Sequence, residues 1–341
     1  MTKKEVIKMV LDGKKPPYVP WDCKFTIEAL EKMKAHYGEE VDIEELVDNH
    51  FIKLGQSSGF KIDIGNDRKK DIFGTIWDMS LEKDIGNVDG LVLPEATLEG
   101  YVFPDPNDPI LYAGIEEKIA ANKDKFVLYS IGFSLFERYW CLRGMENAFM
   151  DFMVFPDFVK DLMGKIADFN IAVIKNVCER YPEVDGIYFG DDWGAQKKLM
   201  MGKEVWMEFI YPELLRMYAN TKKYGKYQLI HSCGDIYEII PELIEGGVDC
   251  INPFQPEVLD VDELINTYGG KVTFHGGLST QQTLPYGSVE DVQKETNHLL
   301  NLGKDGGYIF CPSHAAEGDT PIENIVAFID IIKAQKAAAG F

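Results

Sequence analysis

The chain has 341 residues, 45% of them hydrophobic and 27% charged, and 35 Lys+Arg against 56 Asp+Glu give a formal net charge of −21 at pH 7. That charge argues against nucleic acid as a partner, since its longest basic cluster is Arg68-Lys69-Lys70 and a phosphate backbone calls for a basic footprint. No apolar run reaches the roughly 18 residues that a membrane span needs. The charged start Met1-Thr2-Lys3-Lys4-Glu5 lacks the apolar core of a signal peptide. The six scattered cysteines suit reduced thiols or metal ligands better than disulfides, so a cytoplasmic protein is expected.

In chain order, residues up to about 120 read as helical additions with an irregular stretch, Pro104–Pro109. Lys61–Ile64 and Leu91–Leu93 are weak strand candidates there. From residue 126 onward, apolar runs alternate with amphipathic stretches. Strands are expected at Phe126–Ser130, Gly186–Phe189, Gln228–His231, Asp249–Asn252, Lys271–His275 and Tyr308–Cys311. Helices are expected over Phe158–Arg180, Lys203–Lys223, Tyr237–Glu245, Val289–Leu302 and Ile322–Lys336. Strand followed by helix with short connections predicts parallel βα units.

Thr320-Pro321-Ile322-Glu323 reads as a capping box with proline at the first helical position. Ser288-Val289-Glu290-Asp291 reads as a weaker start signal of the same kind. Glycine pairs at 246–247, 269–270 and 306–307 mark helix-to-strand turns, where positive φ costs glycine little. No linker divides residues 1–341, so a single domain is expected. The leading architecture is α/β, a (β/α)8 TIM barrel with N-terminal helical additions. A doubly wound open sheet is the alternative.

The carboxyl ends of the expected strands run into polar residues: Gly190-Asp191-Asp192-Trp193, His231-Ser232-Cys233, Asn252-Pro253-Phe254-Gln255, His275-Gly276-Gly277 and Cys311-Pro312-Ser313-His314. Barrel active sites are assembled at that face. His231, Cys233 and Cys311 supply one nitrogen and two thiols, a set that suits Zn²⁺ and leaves a fourth position open. Taken singly, each is equally a buried histidine or a small apolar cysteine. Asp191 and Asp192 are candidates for proton transfer or substrate anchoring, or else cap a helix. Trp193, Gln255, His275 and His314 are candidates for substrate contact, while Gln255, His275 and His314 could also offer a fourth ligand and serve equally well to satisfy loop backbone groups. Aromatic residues such as Phe73, Trp77, Tyr101, Phe133 and Tyr188 would wall a pocket or fill the core. The sequence has no Gly-x-Ser-x-Gly elbow, P-loop or dinucleotide-binding glycine motif.

Across Asp71–Trp77, Gly186–Gly194, His231–Gly234, Gly247–Gln255, His275–Gly277 and Gly307–His314 the sequence resembles the uroporphyrinogen decarboxylase superfamily. The likeness covers nearly the whole chain and implies a (β/α)8 barrel. Decarboxylases of that group share an arginine-bearing segment that grips substrate carboxylates. The corresponding Val19-Pro20-Trp21-Asp22-Cys23-Lys24-Phe25 has no arginine. The His-x-Cys…Cys pattern is instead similar to the zinc methyltransferases of the superfamily, both the coenzyme M and the O-demethylase types. Those pass a methyl group between a small molecule and a corrinoid (cobalamin) on a partner protein. The resemblance therefore implies Zn²⁺ on His231, Cys233 and Cys311, with Asp191 or Asp192 holding substrate or tuning the site. A porphyrinogen decarboxylase and a non-catalytic binding barrel are the alternatives.

Overall fold

The computed structural model describes residues 1–56 and 61–341. Eleven strands are described: β1 (Phe51–Gln56), β2 (Lys61–Gly65), β3 (Arg68–Asp71), β4 (Ile76–Asp78), β5 (Asn87–Asp89), β6 (Phe126–Ile131), β7 (Gly186–Gly190), β8 (Tyr227–His231), β9 (Cys250–Asn252), β10 (Thr273–Leu278) and β11 (Tyr308–Pro312). Seven form one parallel sheet in the order β1-β6-β7-β8-β9-β10-β11. β2 to β5 form a separate four-stranded sheet, antiparallel throughout. The six strands expected after residue 126 are all present.

The parallel sheet is curled. Phe310 N donates to Pro20 O (2.8 Å), Asp22 N to Phe310 O (3.1 Å) and His50 N to Trp21 O (3.1 Å). Residues 20–22 thus hydrogen-bond to β11 on one side and to the residue preceding β1 on the other. The N-terminal region is therefore more than an addition: it supplies β1, the segment at 20–22 and the antiparallel sheet. Leu91–Leu93 lies outside any strand.

Helix starts depart from expectation in an instructive way. Ser288 and Asp291 form the full reciprocal capping box before Val289–Gly303. Thr320 forms none: helix Ile322–Ala338 begins after Pro321, which is its N-cap and has no side-chain cap bond. The expected helix Lys203–Lys223 is interrupted by a π-helical turn, Trp206–Ile210.

Side chains alternate across a strand, so one phase of every strand faces the inside of the curl. On the amino-terminal side that phase is apolar. Phe51, Phe126, Leu128, Leu229, Cys250 and Ile309 pack together with Tyr188, and against Ile7 and Val10. Ile7 and Val10 come from the first helix, Lys3–Leu11, whose Thr2–Glu5 capping box fixes its start. Two residues further along, the same phase carries Lys53, Ser130, His231, Asn252, His275 and Cys311. This polar layer is where the site forms.

Candidate functional site

His231 is the last residue of β8, and Cys233 lies just beyond it. The His231 Nε2 is 3.5 Å from the Cys233 Sγ and 3.7 Å from Asp192 Oδ1. The donor atoms of Asp192, His231 and Cys233 all lie within 4.8 Å of one another. Asp192 Oδ1 also accepts the Cys233 backbone amide at 2.9 Å, which ties the loop after β7 to the loop after β8. Two glycines allow that approach. A Cβ on Gly194 would meet Cys233 O at 2.6 Å, and one on Gly234 would meet Gly194 C at 2.3 Å. Gly234 also takes a φ of +79°, so a side chain there would be strained as well as blocked.

Asn252, paired with His231 in the β8–β9 register, fixes the tautomer of the imidazole. Its Nδ2 donates to His275 O (2.8 Å), which leaves Oδ1 as the acceptor. Tyr188 OH donates to that oxygen at 2.6 Å, and His231 Nδ1 lies 2.8 Å from it. The proton on His231 therefore belongs on Nδ1, and the Nε2 lone pair faces Cys233 and Asp192. Burial lowers the His231 pKa, more than Asp192 raises it, which keeps the ring neutral. Metal-binding histidines are oriented in this way through their second nitrogen.

The donor set fits a small tetrahedral cation. With Zn–S near 2.3 Å and Zn–N near 2.0–2.1 Å, tetrahedral angles put the two donors about 3.6 Å apart, close to the 3.5 Å between His231 and Cys233. Burial, followed by Asp192 and Glu137, pushes the Cys233 thiol well above its ordinary value. A thiolate at this position therefore needs a cation beside it.

The remaining sequence candidates divide. Cys311 is buried, and its thiol donates to Pro312 O at 2.9 Å. It lies outside the trio, and Asp192 stands where a second cysteine was expected. Asp191 is engaged by the protein's own N–H groups. Its carboxylate accepts Leu135 N (3.3 Å), Phe136 N (3.0 Å) and Glu137 N (2.7 Å), as well as Trp193 Nε1 (2.7 Å). It caps helix Phe136–Arg143, 55 residues earlier in the chain, rather than a helix that follows it. Burial raises its pKa to about 6 despite these donors. Trp193 is buried, with its indole spent on Asp191.

Gln255 accepts Gly234 N at 2.7 Å and shares the wall of a cavity of about 410 Å³ with exposed His314, Tyr286, Glu317 and Asp319. His275 is buried, with neither ring nitrogen hydrogen-bonded, and burial drops its pKa to about 3.

Four residues near the cluster escaped the sequence reading: Asn252, Glu137, Lys53 and Asp22. Asn252 had a signal, since it ends a strand beside His231. Glu137 did not, because only the fold carries its helix to Asp192. Burial and the two aspartates hold its pKa well above the ordinary carboxyl value.

No helix among the described residues is long and apolar enough to cross a membrane. Residues 138–335, more than half of the chain, match the family model described as uroporphyrinogen decarboxylase (URO-D). A methylated-thiol–coenzyme M methyltransferase of Methanosarcina mazei is 26% identical over 147 residues, which cover 43% of this chain and 37% of that protein. The match spans little more than a third of that relative's length. A solved structure described as a methyltransferase from Methanosarcina mazei aligns with a TM-score of 0.74 at 17% identity, over 98% of this chain and 99% of the other. That likeness is one of fold.

Proposed function

This chain belongs to the uroporphyrinogen decarboxylase family, and from that premise we propose that it is a zinc-dependent methyltransferase acting between a small molecule and a corrinoid on a separate protein. One observation carries the reading: a histidine nitrogen, a cysteine sulfur and a carboxylate oxygen converge, with the histidine tautomer already set by Asn252. The fold is read as a (β/α)8 barrel in which residues 20–22 take the eighth strand position. His231 and Cys233 are the proposed fixed ligands. Asp192 is the third donor in the arrangement described, and Cys311 is proposed to exchange with it by turning its thiol away from Pro312 O. A bound Zn²⁺ would hold a substrate thiol as thiolate or draw electron density from an ether oxygen.

The chain's own residues supply the rest. Asn252 holds the imidazole in its binding tautomer. Asp192 aligns the Cys233 backbone, and Gln255 holds Gly234 beside it. The decarboxylase alternative loses support at residues 19–25, where no arginine waits for substrate carboxylates.

Metal analysis of the purified protein tests the reading, alongside Cys233→Ser and Cys311→Ser. About one zinc per chain is expected, lost in Cys233→Ser, and weakened in Cys311→Ser if the exchange occurs. Absence of zinc from protein purified without chelators overturns the assignment. The zinc protein is then mixed with methylcobalamin and coenzyme M, and separately with cob(I)alamin and a methoxylated aromatic acid. A change in the corrinoid spectrum supports transfer. No change in either mixture favours a binding barrel without catalysis.

A further inference from the structure

The methyltransferase reading uses one end of the Gln255 amide and leaves the other free. Gln255 lies just beyond β9 and is 7% exposed. Its backbone carbonyl accepts Val258 N (3.1 Å) and Leu259 N (2.9 Å), which anchors the residue in a turn. Its side-chain Oε1 accepts Gly234 N at 2.7 Å. A backbone N–H can only donate, so the amide oxygen has to face Gly234 and the Nε2 group has to face away from it. That Nε2 finds no acceptor among the described residues, and it is not one of the sealed, unpartnered atoms. The N–H donors of a buried side chain therefore open on the cavity of about 410 Å³ that Gln255 lines.

The remainder of the lining has the opposite hydrogen-bonding sense. Glu317 and Asp319, both exposed, bring two carboxylates, and no lysine or arginine lines the cavity. Lys32 Nζ is spent on Thr320 O (3.2 Å), and Thr280 Oγ1 pairs with Ser313 Oγ (3.2 Å). An anionic ligand could accept from Gln255 but would meet two like charges. An ammonium would suit the carboxylates but offers Gln255 no acceptor. A hydroxyl has one proton for two carboxylates. A primary carboxamide answers every group: it carries one carbonyl oxygen, two N–H donors and no charge.

We propose that this cavity receives a primary carboxamide, whose oxygen accepts from Gln255 Nε2 and whose N–H groups donate to Glu317 and Asp319. The proposal rests on the methyltransferase reading for the molecule that carries the amide. Two sources share this chemistry: the rim of a corrin ring, whose peripheral side chains end in primary carboxamides, and an amide on the small-molecule substrate. Gln255 also holds Gly234, the neighbour of Cys233, so an amide bound here is registered against the loop that bears the donor cluster.

Calorimetry on the full chain separates the two sources. One pair of probes is methylcobalamin and its separated side-chain monocarboxylates, each with one carboxamide hydrolysed. The other pair is 3-mercaptopropionamide and 3-mercaptopropionate. In one of the pairs the wild type is expected to bind the amide at least about tenfold more tightly, the scale of one unmet buried hydrogen bond. A preference in the first pair assigns the cavity to the corrin rim, and one in the second assigns it to substrate. Gln255→Glu keeps an acceptor for Gly234 and removes the donor, so the preference should vanish with zinc content unchanged. Glu317→Gln combined with Asp319→Asn, at exposed positions, should raise the affinity for the carboxylate probe and serves as the second variant if Gln255→Glu does not fold. Equal binding within both pairs by the wild type overturns the proposal and leaves the metal site standing, as does a preference undiminished in either folded variant. A wild type that holds no zinc yet prefers methylcobalamin to its monocarboxylates overturns the methyltransferase reading and leaves the amide site standing.

Discussion

The two ends of the space inside the curled sheet are built from the same strands by the same alternation, yet they hold opposite chemistry. Toward the amino end, Phe51, Phe126, Leu128, Leu229 and Ile309 close on one another and on the first helix. Two residues further on, Lys53, His231, Asn252, His275 and Cys311 occupy the equivalent phase. The lower layer is capped by Ile7 and Val10, so each side chain there finds apolar contacts on every side. The upper layer is polar: His275 is buried with neither ring nitrogen hydrogen-bonded, and His231 keeps Nε2 directed at Cys233 and Asp192. Two histidines make the same contrast. His50, just before β1, uses Nδ1 to accept Trp21 N (3.5 Å) and Nε2 to meet Tyr18 OH (3.1 Å). His231 has one nitrogen engaged by Asn252 and the other facing a donor cluster. A histidine with both nitrogens committed to the protein belongs to the scaffold; one with a directed free lone pair is available for chemistry.

That division can be broken first in the lower layer. Phe126→Ala, at a fully buried position, should destabilise the protein by about 3–5 kcal/mol through lost contact and the cavity left behind. Metal bound per folded chain should stay unchanged, as read by denaturant unfolding beside metal analysis. Equal damage to metal binding would show that the two layers do not act separately.

In the upper layer, Asn252→Ala removes the partner that sets the His231 tautomer. Zinc affinity should fall by roughly 10–100-fold, measured by competition with a chromophoric chelator. An unchanged affinity would remove the tautomer lock from the account.

The effect that is smallest per step is a pH slope. Burial lowers the His50 pKa to about 3 from 6.5, so the unfolded chain takes up the proton first. The contribution of His50 is fully present above pH 6.5 and is lost as pH falls from there toward about 3. Wild type should lose about 1.4 kcal/mol per pH unit in that window relative to His50→Gln. Parallel stability profiles for the two proteins would show that His50 is not held neutral.

Much of this is legible in the sequence alone. β6 to β11 follow from short apolar runs between helices, and the polar ends of those runs marked the face where the site lies. His231 and Cys233 share a side because strand side chains alternate. The adjacent aspartates show where such reading stops. In sequence, Asp191 and Asp192 are equivalent candidates. In the fold, one accepts four N–H donors, three of them from the start of helix Phe136–Arg143, and the other faces His231 and Cys233. Nothing local distinguishes them, because the partner of each lies dozens of residues away. β1 was missed for a related reason: Phe51-Ile52-Lys53-Leu54-Gly55-Gln56 places a lysine in the inward phase, and the carboxylate beside it, Asp22, comes from a different part of the chain.

By itself, then, the sequence determined the strand–helix order, the face on which chemistry collects and the His-x-Cys half of the donor set, since these depend on periodicities of two and 3.6 residues along the chain. Only the tertiary structure decided that Asp192 rather than Cys311 completes the observed trio, that Asn252 sets the tautomer of His231 and that Lys53 meets Asp22. Those are distances between residues far apart in the chain, fixed by how the sheet curls.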